Sequence, residues 1–200
     1  TGEKFQDFFA EEFKDAAGLI PNLQQEYLEN PTASLVTIKC YPWVSEDKFA
    51  LIGDAAHALV PFFGQGMNCG FEDCSVLNDV WEKYEGNWSE ILPKYQALRK
   101  PDADAISDLA LANFIEMRDK VADEKFIAQK KIEAAFANAY PDKWIPAYSM
   151  VTFRPDIRYS EALSKGKIQQ QIMDRVMGEV KGESWEWNKT TETSMLAELQ

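Results

Sequence analysis

The stretch "FALIGDAAHALVPFFGQGMNCGFEDC", residues 49 to 74, sets the tightest limits on how this chain can fold. Its opening apolar run, 49 to 53, has the length and residue types of a short strand buried on both sides, and it stops at Gly53-Asp54. Pro61, Gly64, Gly66 and Gly70 then crowd together before a polar helical pattern resumes. Such punctuation marks a chain that must turn sharply or come close to a ligand. Asp54, directly after the strand, is placed at the carboxyl end of a sheet, where open α/β folds bind ligands. A carboxylate there can accept hydrogen bonds from sugar or ribityl hydroxyls; a turn former or helix N-cap is the alternative.

The segment from Pro61 enters a helix whose first turn holds Gly66, Met67 and Asn68. Free N–H groups and the helix dipole at such a start attract negative charge, and glycine lets a ligand touch the backbone. A tight strand-to-helix connection needing positive φ explains the same glycines. No GKS or GKT follows, which excludes a phosphate loop. His57 is the only histidine, set among alanines with no GxSxG nearby, so a packed, hydrogen-bonded structural role is expected. Glu72 and Asp73 read as a solvated helix face.

The rest of the chain narrows the class. Of its 200 residues 46% are hydrophobic and 27% charged, enough for a globular core. A net charge of −12 argues against nucleic acid and against anionic membranes. Cys40, Cys69 and Cys74 show neither CxxC nor a histidine spaced for zinc, and read as buried free thiols; no metal site is expected. No apolar run reaches the roughly 18 residues a membrane span needs.

Periodicity predicts a helix over 3–17 with Gly18 as its C-cap, a strand over 34–43 and the strand over 49–53. Helices follow over 66–85, over 89–99 with Pro93 in its first turn, from Pro101 onward, over 123–139 and near 160–178. A Pro-rich aromatic break separates the last two. The fold expected is mostly helical with a few strands.

"FALIGDAAHALVPFFGQGMNCGFEDC" resembles the second flavin-binding motif of the FAD-dependent aromatic hydroxylases. With "ISDLALANFIEMR" and "YSMVTFRPDIRY" in the same order, it is similar to the branch of that family that hydroxylates L-kynurenine. The resemblance implies an α/β flavoprotein hydroxylase fold of the FAD/NAD(P)-binding type. Residues 1–47 would end the substrate-binding sheet domain, 48–100 would be the second half of the FAD-binding domain, 101–180 a C-terminal helical region and 181–200 a mobile tail. Gly53 and Asp54 would hold the ribityl chain of FAD, and Gly66, Met67 and Asn68 would present the helix start to the isoalloxazine edge. Pro61, Phe62 and Gln65 would line the substrate face of the flavin. Asn113 and Tyr148 would contact the amino-acid end of kynurenine, a solvated helix face and core packing being the alternative readings of the two. No residue is expected as a covalent nucleophile or strong acid-base catalyst.

The activity so implied is hydroxylation of L-kynurenine to 3-hydroxykynurenine with NADPH and O₂, through a C4a-hydroperoxyflavin. A flavin hydroxylase of another aromatic substrate and a non-catalytic helical interaction module are the alternatives. The family's GxGxxG unit is not in this sequence, so the chain is expected to be the second half of such an enzyme, its N-terminal half being a partner, and incomplete alone. Without the hydrophobic C-terminal anchor of mitochondrial members, a soluble cytoplasmic form is expected, or a truncated form of an outer-membrane one.

Overall fold

The computed structural model describes residues 2–179 and 186–199. Contacts divide it into two compact units, Thr1–Leu35 and Val36–Gln200.

In the first unit, phenylalanines one helical turn apart form a ladder: Phe5 lies 5.2 Å from Phe9, and Phe9 lies 4.9 Å from Phe13. The single helix expected over 3–17 is broken at Phe13, whose φ of −127° and ψ of 50° leave the helical region. It divides into α1 (Gly2–Glu12) and α2 (Lys14–Ala17), with Gly18 at the C-cap as expected. A third helix, α3 (Leu23–Glu29), stacks Tyr27 on Phe5 with ring centroids 3.8 Å apart.

The second unit is mostly helical, with two short strands. β1 (Val44–Ser45) pairs antiparallel with β2 (Phe49–Ala50). Residues 34–43, expected as a strand, form no ladder. Ile38 instead donates to the Ala58 carbonyl at 2.9 Å, and the Trp43 carbonyl accepts from Leu51 at 2.8 Å. Nor is the run at 49–53 buried on both sides. Phe49 is 71% exposed and Ile52 37%, because among the described residues a two-residue strand is the only neighbour β2 has.

Beyond them come α4 (Asp54–His57), a 3-10 turn (Pro61–Phe63), α5 (Gly66–Lys83), α6 (Trp88–Asp119) and α7 (Glu124–Ala139). α8 (Ala147–Phe153), α9 (Tyr159–Glu179) and α10 (Lys189–Glu198) complete the unit. The helix expected to restart at Pro101 does not; α6 runs unbroken for 32 residues with Pro93 and Pro101 both inside it. Each proline forfeits one helical hydrogen bond. Both sit on the exposed side, where water can satisfy the freed carbonyl, while the opposite face buries Ile91, Tyr95, Ala103, Ile106 and Ala110.

Two cores result. The one beneath the punctuated stretch gathers Trp43, Ala56, Cys69, Tyr95, Ile106 and Met150. The other gathers Ile132, Phe136, Trp144, Ile172, Met173 and Met195. Within 181–200, expected as a mobile tail, Met195 packs into the second of these cores. Asn188 and Thr191 form a reciprocal capping box that starts α10, and Met195 is fully buried. The part of that expectation falling on residues 181–185 and Gln200 lies outside the described residues. Met195→Ala should therefore cost about 2–5 kcal/mol in chemical denaturation, as buried methionine truncations do. A loss below about 0.5 kcal/mol, the size of a surface substitution, would show that α10 is not docked.

Candidate functional site

Gly53 adopts φ 60° and ψ −141°, a backbone region that side chains rarely tolerate, and serves as N-cap of α4. That turn throws Asp54 outward: its side chain is exposed, and its carboxylate makes no hydrogen bond or ion pair among the described residues. The α5 start is similarly bare. Gln65 at the N-cap position makes no side-chain cap bond, and Met67 and Asn68 in the first turn are exposed. The N–H groups of Gly66, Met67 and Asn68 thus receive no side-chain cap from Gln65. Gly70, one turn later, brings the α5 backbone against Gly53; a Cβ there would lie 3.7 Å from the Gly53 Cα.

Beneath this surface lies a buried cluster. Asp73, with no exposed surface, accepts on Oδ2 from the Gly53 N–H at 3.0 Å and pairs through the same oxygen with His57 Nε2 at 2.5 Å. Its Oδ1 accepts from Arg99 Nε at 2.7 Å. Arg99, also buried, reaches Glu72 at 3.0 Å and donates to the Cys69 carbonyl at 3.3 Å. The reading of Asp73 as a solvated position is therefore overturned. The expected buried thiols are also corrected in part: Cys69 is buried, Cys74 is exposed and Cys40 lies between.

Burial, the largest single influence, opposes the charged form of His57, yet the hydrogen bonds and charges of Asp73 and Cys69 together push the imidazole up to about 10. Burial likewise opposes the Asp73 carboxylate, and the hydrogen bonds from His57, Arg99 and Gly53 still hold it below the usual range. His57, Cys69 and Asp73 present ligand-type atoms within 4.8 Å of one another. The Arg99 guanidinium bonds both Asp73 and the Cys69 sulfur, putting positive charge where a cation would need to sit.

The residues expected on the substrate side meet around the 3-10 turn. Asn113 donates through Nδ2 to the Phe62 carbonyl at 2.7 Å, and the Phe62 ring lies 4.5 Å from Phe114. Tyr148, half exposed, stacks on Phe63 with centroids 5.4 Å apart. Pro61 opens the turn and is exposed. Gln65 Oε1 accepts from Asn68 Nδ2 at 3.0 Å and from the Tyr159 hydroxyl at 3.1 Å. Gln65 and Asn68 also border a cavity of about 380 Å³ whose wall includes Thr152, Arg154 and Tyr159. Arg118 and Arg154 are paired with Asp119 and Asp156, and Arg158 with Asp102.

Sequence reasoning missed Asp73, Arg99, Phe63, Phe114 and Tyr159. A signal for the first pair existed. Cys69, Asp73 and Val80 are the buried residues of α5, and Tyr95, Arg99 and Asp102 occupy the buried stripe of α6. Opposite charges on two inward-facing stripes are candidates for one buried pair.

The raised His57 value makes stability depend on pH. The folded protein keeps a proton that the unfolded chain, with the ordinary value of 6.5, releases; this contribution is complete below 6.5 and is lost as pH rises through about 10. The Asp73 contribution is present above the ordinary carboxylate value and is lost as pH falls through its lower folded value. Thermal melts of the wild type and His57→Gln should show a wild-type advantage of several degrees at pH 6.5 that shrinks steadily toward pH 10. A pH-independent difference would contradict the charged pair.

The FAD binding domain family matches residues 21–110. The kynurenine 3-monooxygenase of Flavobacterium johnsoniae is 55% identical over 172 residues, covering 86% of this chain and 38% of that protein. That of Flavobacterium psychrophilum is 52% identical over 192 residues, covering 95% of this chain and 42% of that protein. The Candida albicans kynurenine 3-monooxygenase is 42% identical over 178 residues, covering 88% and 39%. The chain thus spans about two fifths of the length of the curated relatives it matches. Over most of its own length it is similar to the kynurenine 3-monooxygenases, and nearly half of it matches the FAD binding domain family.

Proposed function

We propose that this chain is the C-terminal part of an FAD-dependent monooxygenase that hydroxylates L-kynurenine at the ring carbon beside its amino group, using NADPH and O₂. The observation that carries the reading is the pairing of an outward, unpartnered Asp54 on a glycine-only turn with an uncapped helix start at Gly66–Asn68. These are the two features a ribityl chain and an electron-rich flavin ring require: a carboxylate to accept hydroxyl protons, and N–H donors with a positive dipole end. FAD, when bound, supplies the redox and oxygen-transfer chemistry.

The remaining roles are those of position. Gly53 admits the cofactor and Asp54 holds its ribityl hydroxyls. Gly66, Met67 and Asn68 meet the ring edge. Pro61, Phe62 and Gln65 form the wall facing the substrate ring, keeping it in place and water out. Asn113 spends its amide N–H on the Phe62 carbonyl, which leaves its own carbonyl oxygen as an acceptor for the substrate ammonium. Tyr148 offers an exposed hydroxyl to the amino-acid end. The α/β flavoprotein hydroxylase fold is completed by the remaining, N-terminal part of the longer protein. The exposed apolar run at Phe49, Leu51 and Ile52 suits pairing with that part. The domain limits proposed are 1–47, 48–100, 101–180 and 181–200. A soluble form fits the absence, among the described residues, of any helix long and apolar enough to cross a membrane.

The full-length protein should purify yellow, with flavin absorbance, and turn over kynurenine with NADPH. Asn113→Ala and Tyr148→Phe should each raise the kynurenine KM about tenfold, the scale of one hydrogen bond to a charged group. Phe62→Ala should lower coupling of NADPH oxidation to hydroxylation. Unchanged kynurenine binding and turnover in all three variants would overturn the substrate assignment, and a colourless protein that takes up no FAD would overturn the flavoenzyme reading.

A further inference from the structure

We propose that Asp73 is the positioning residue of the cofactor turn: from inside the protein it fixes the Gly53 conformation that presents Asp54 to the ribityl chain. The inference rests on the proposed role of Asp54 and adds to it a residue that itself touches no cofactor.

Three observations converge. Gly53 takes a backbone conformation open to glycine and, being glycine, can readily leave it; its N–H is held there by the Asp73 carboxylate at 3.0 Å. The same oxygen, Oδ2, pairs with the His57 ring, so both ends of the four-residue helix α4 are tied to one atom. A helix this short has little stability of its own, and fastening its two ends defines its orientation. The carboxylate itself is not free to follow the loop. Arg99 holds Oδ1 at 2.7 Å, and Asp102 and Glu72 brace the same guanidinium at 3.5 and 3.0 Å. Asp54, the first residue of α4, lies between these two tethers, exposed and unpartnered. Asp73 is thus a rigid internal post, and Asp54 is the group it aims.

This arrangement separates two carboxylates with opposite tasks. Asp73 is buried and spent on the protein, whereas Asp54 is exposed and left for the ligand. Replacing Asp73 by Asn keeps the shape but removes the negative charge facing His57 and Arg99, loosening both tethers. Gly53→Ala loosens the turn by another route. A Cβ at Gly53 meets nothing within 4 Å, so this variant strains the backbone without disturbing the packing.

The test measures FAD affinity of full-length apoprotein by quenching of flavin fluorescence in the wild type, Asp54→Ala, Asp73→Asn, Gly53→Ala and the Asp54→Ala/Asp73→Asn double variant. Asp73→Asn and Gly53→Ala should each weaken FAD by about tenfold or more, as should Asp54→Ala, the scale of a lost charge-assisted hydrogen bond. The double variant should be no weaker than Asp54→Ala alone, because Asp73 acts through Asp54. Visible circular dichroism of FAD bound at saturation should change in the same sense in Asp73→Asn and Gly53→Ala, a signature that loss of global stability does not produce. If Asp54→Ala weakens FAD while Asp73→Asn and Gly53→Ala bind as the wild type does, the positioning role is wrong and the cofactor role of Asp54 stands. If Asp54→Ala itself binds FAD normally, the role of Asp54 fails. Should Asp73→Asn not fold, Gly53→Ala decides: normal affinity and an unchanged dichroism spectrum overturn the proposal.

Discussion

A carboxylate with no exposed surface is expensive unless donors replace the water it has lost, and Asp73 obtains three: the Gly53 N–H, His57 and Arg99. Those donors belong to three different pieces of chain, so satisfying one buried charge joins the turn before α4, α4 itself and α6 to α5. The network does not end there. Arg99 also faces Asp102, which accepts from Arg158 at 2.9 Å and from the Ser160 hydroxyl at 2.6 Å, bringing in α9. Asp73, Asp102 and Glu72 are set against Arg99, Arg158 and a protonated His57. Removing one member strands the others, so the cluster enforces a single arrangement of four helices under the Gly53 turn.

The surface above this frame has the opposite character. Asp54, Met67, Asn68 and Tyr148 are exposed, and the helix start between them is uncapped. A protein that had optimised only stability would cap α5 with Ser, Thr or Asp and place an ordinary residue at Gly53. The cost of leaving these groups unmet is borne by the buried charges and by the aromatic and aliphatic core around Trp43, Tyr95 and Met150.

The outward half of this division was legible in the sequence because it is written in residue types that have few other uses. A Gly-Asp after an apolar run, then Pro-Phe-Phe-Gly-Gln-Gly-Met-Asn, marks a special backbone whatever surrounds it. The inward half was hidden. Asp73 and Arg99 look like solvated helix charges until the two helices are placed face to face, and composition gives no sign of which charges are spent inside. Strand residues 34–43 were misjudged for a related reason. Alternation reports a propensity to pair, and a ladder needs a continuous neighbour, whereas among the described residues this stretch meets only isolated backbone partners at Ala58 and Leu51. Pro101 misled in the other direction: a proline on the exposed side of a helix anchored by buried residues before and after it costs one hydrogen bond and need not end the helix.

His57 shows why a residue's rarity is a poor guide to its chemistry. A lone histidine next to an aspartate and a cysteine has the ingredients of a catalytic relay. Here, however, the imidazole is buried, its Nε2 is committed to Asp73 and its Nδ1 lies 3.8 Å from the Cys69 sulfur. With its proton retained up to about 10, it has no capacity to act as a base near neutrality. Under the proposed function none is needed, because the cofactor supplies the reactive chemistry and the protein must hold groups still. A permanently charged histidine serves that end better than a titrating one. With its value raised well above neutrality it keeps α4 fastened across the physiological pH range, and under that proposal the carboxylate beside Gly53 would stay aimed as the cofactor changes charge.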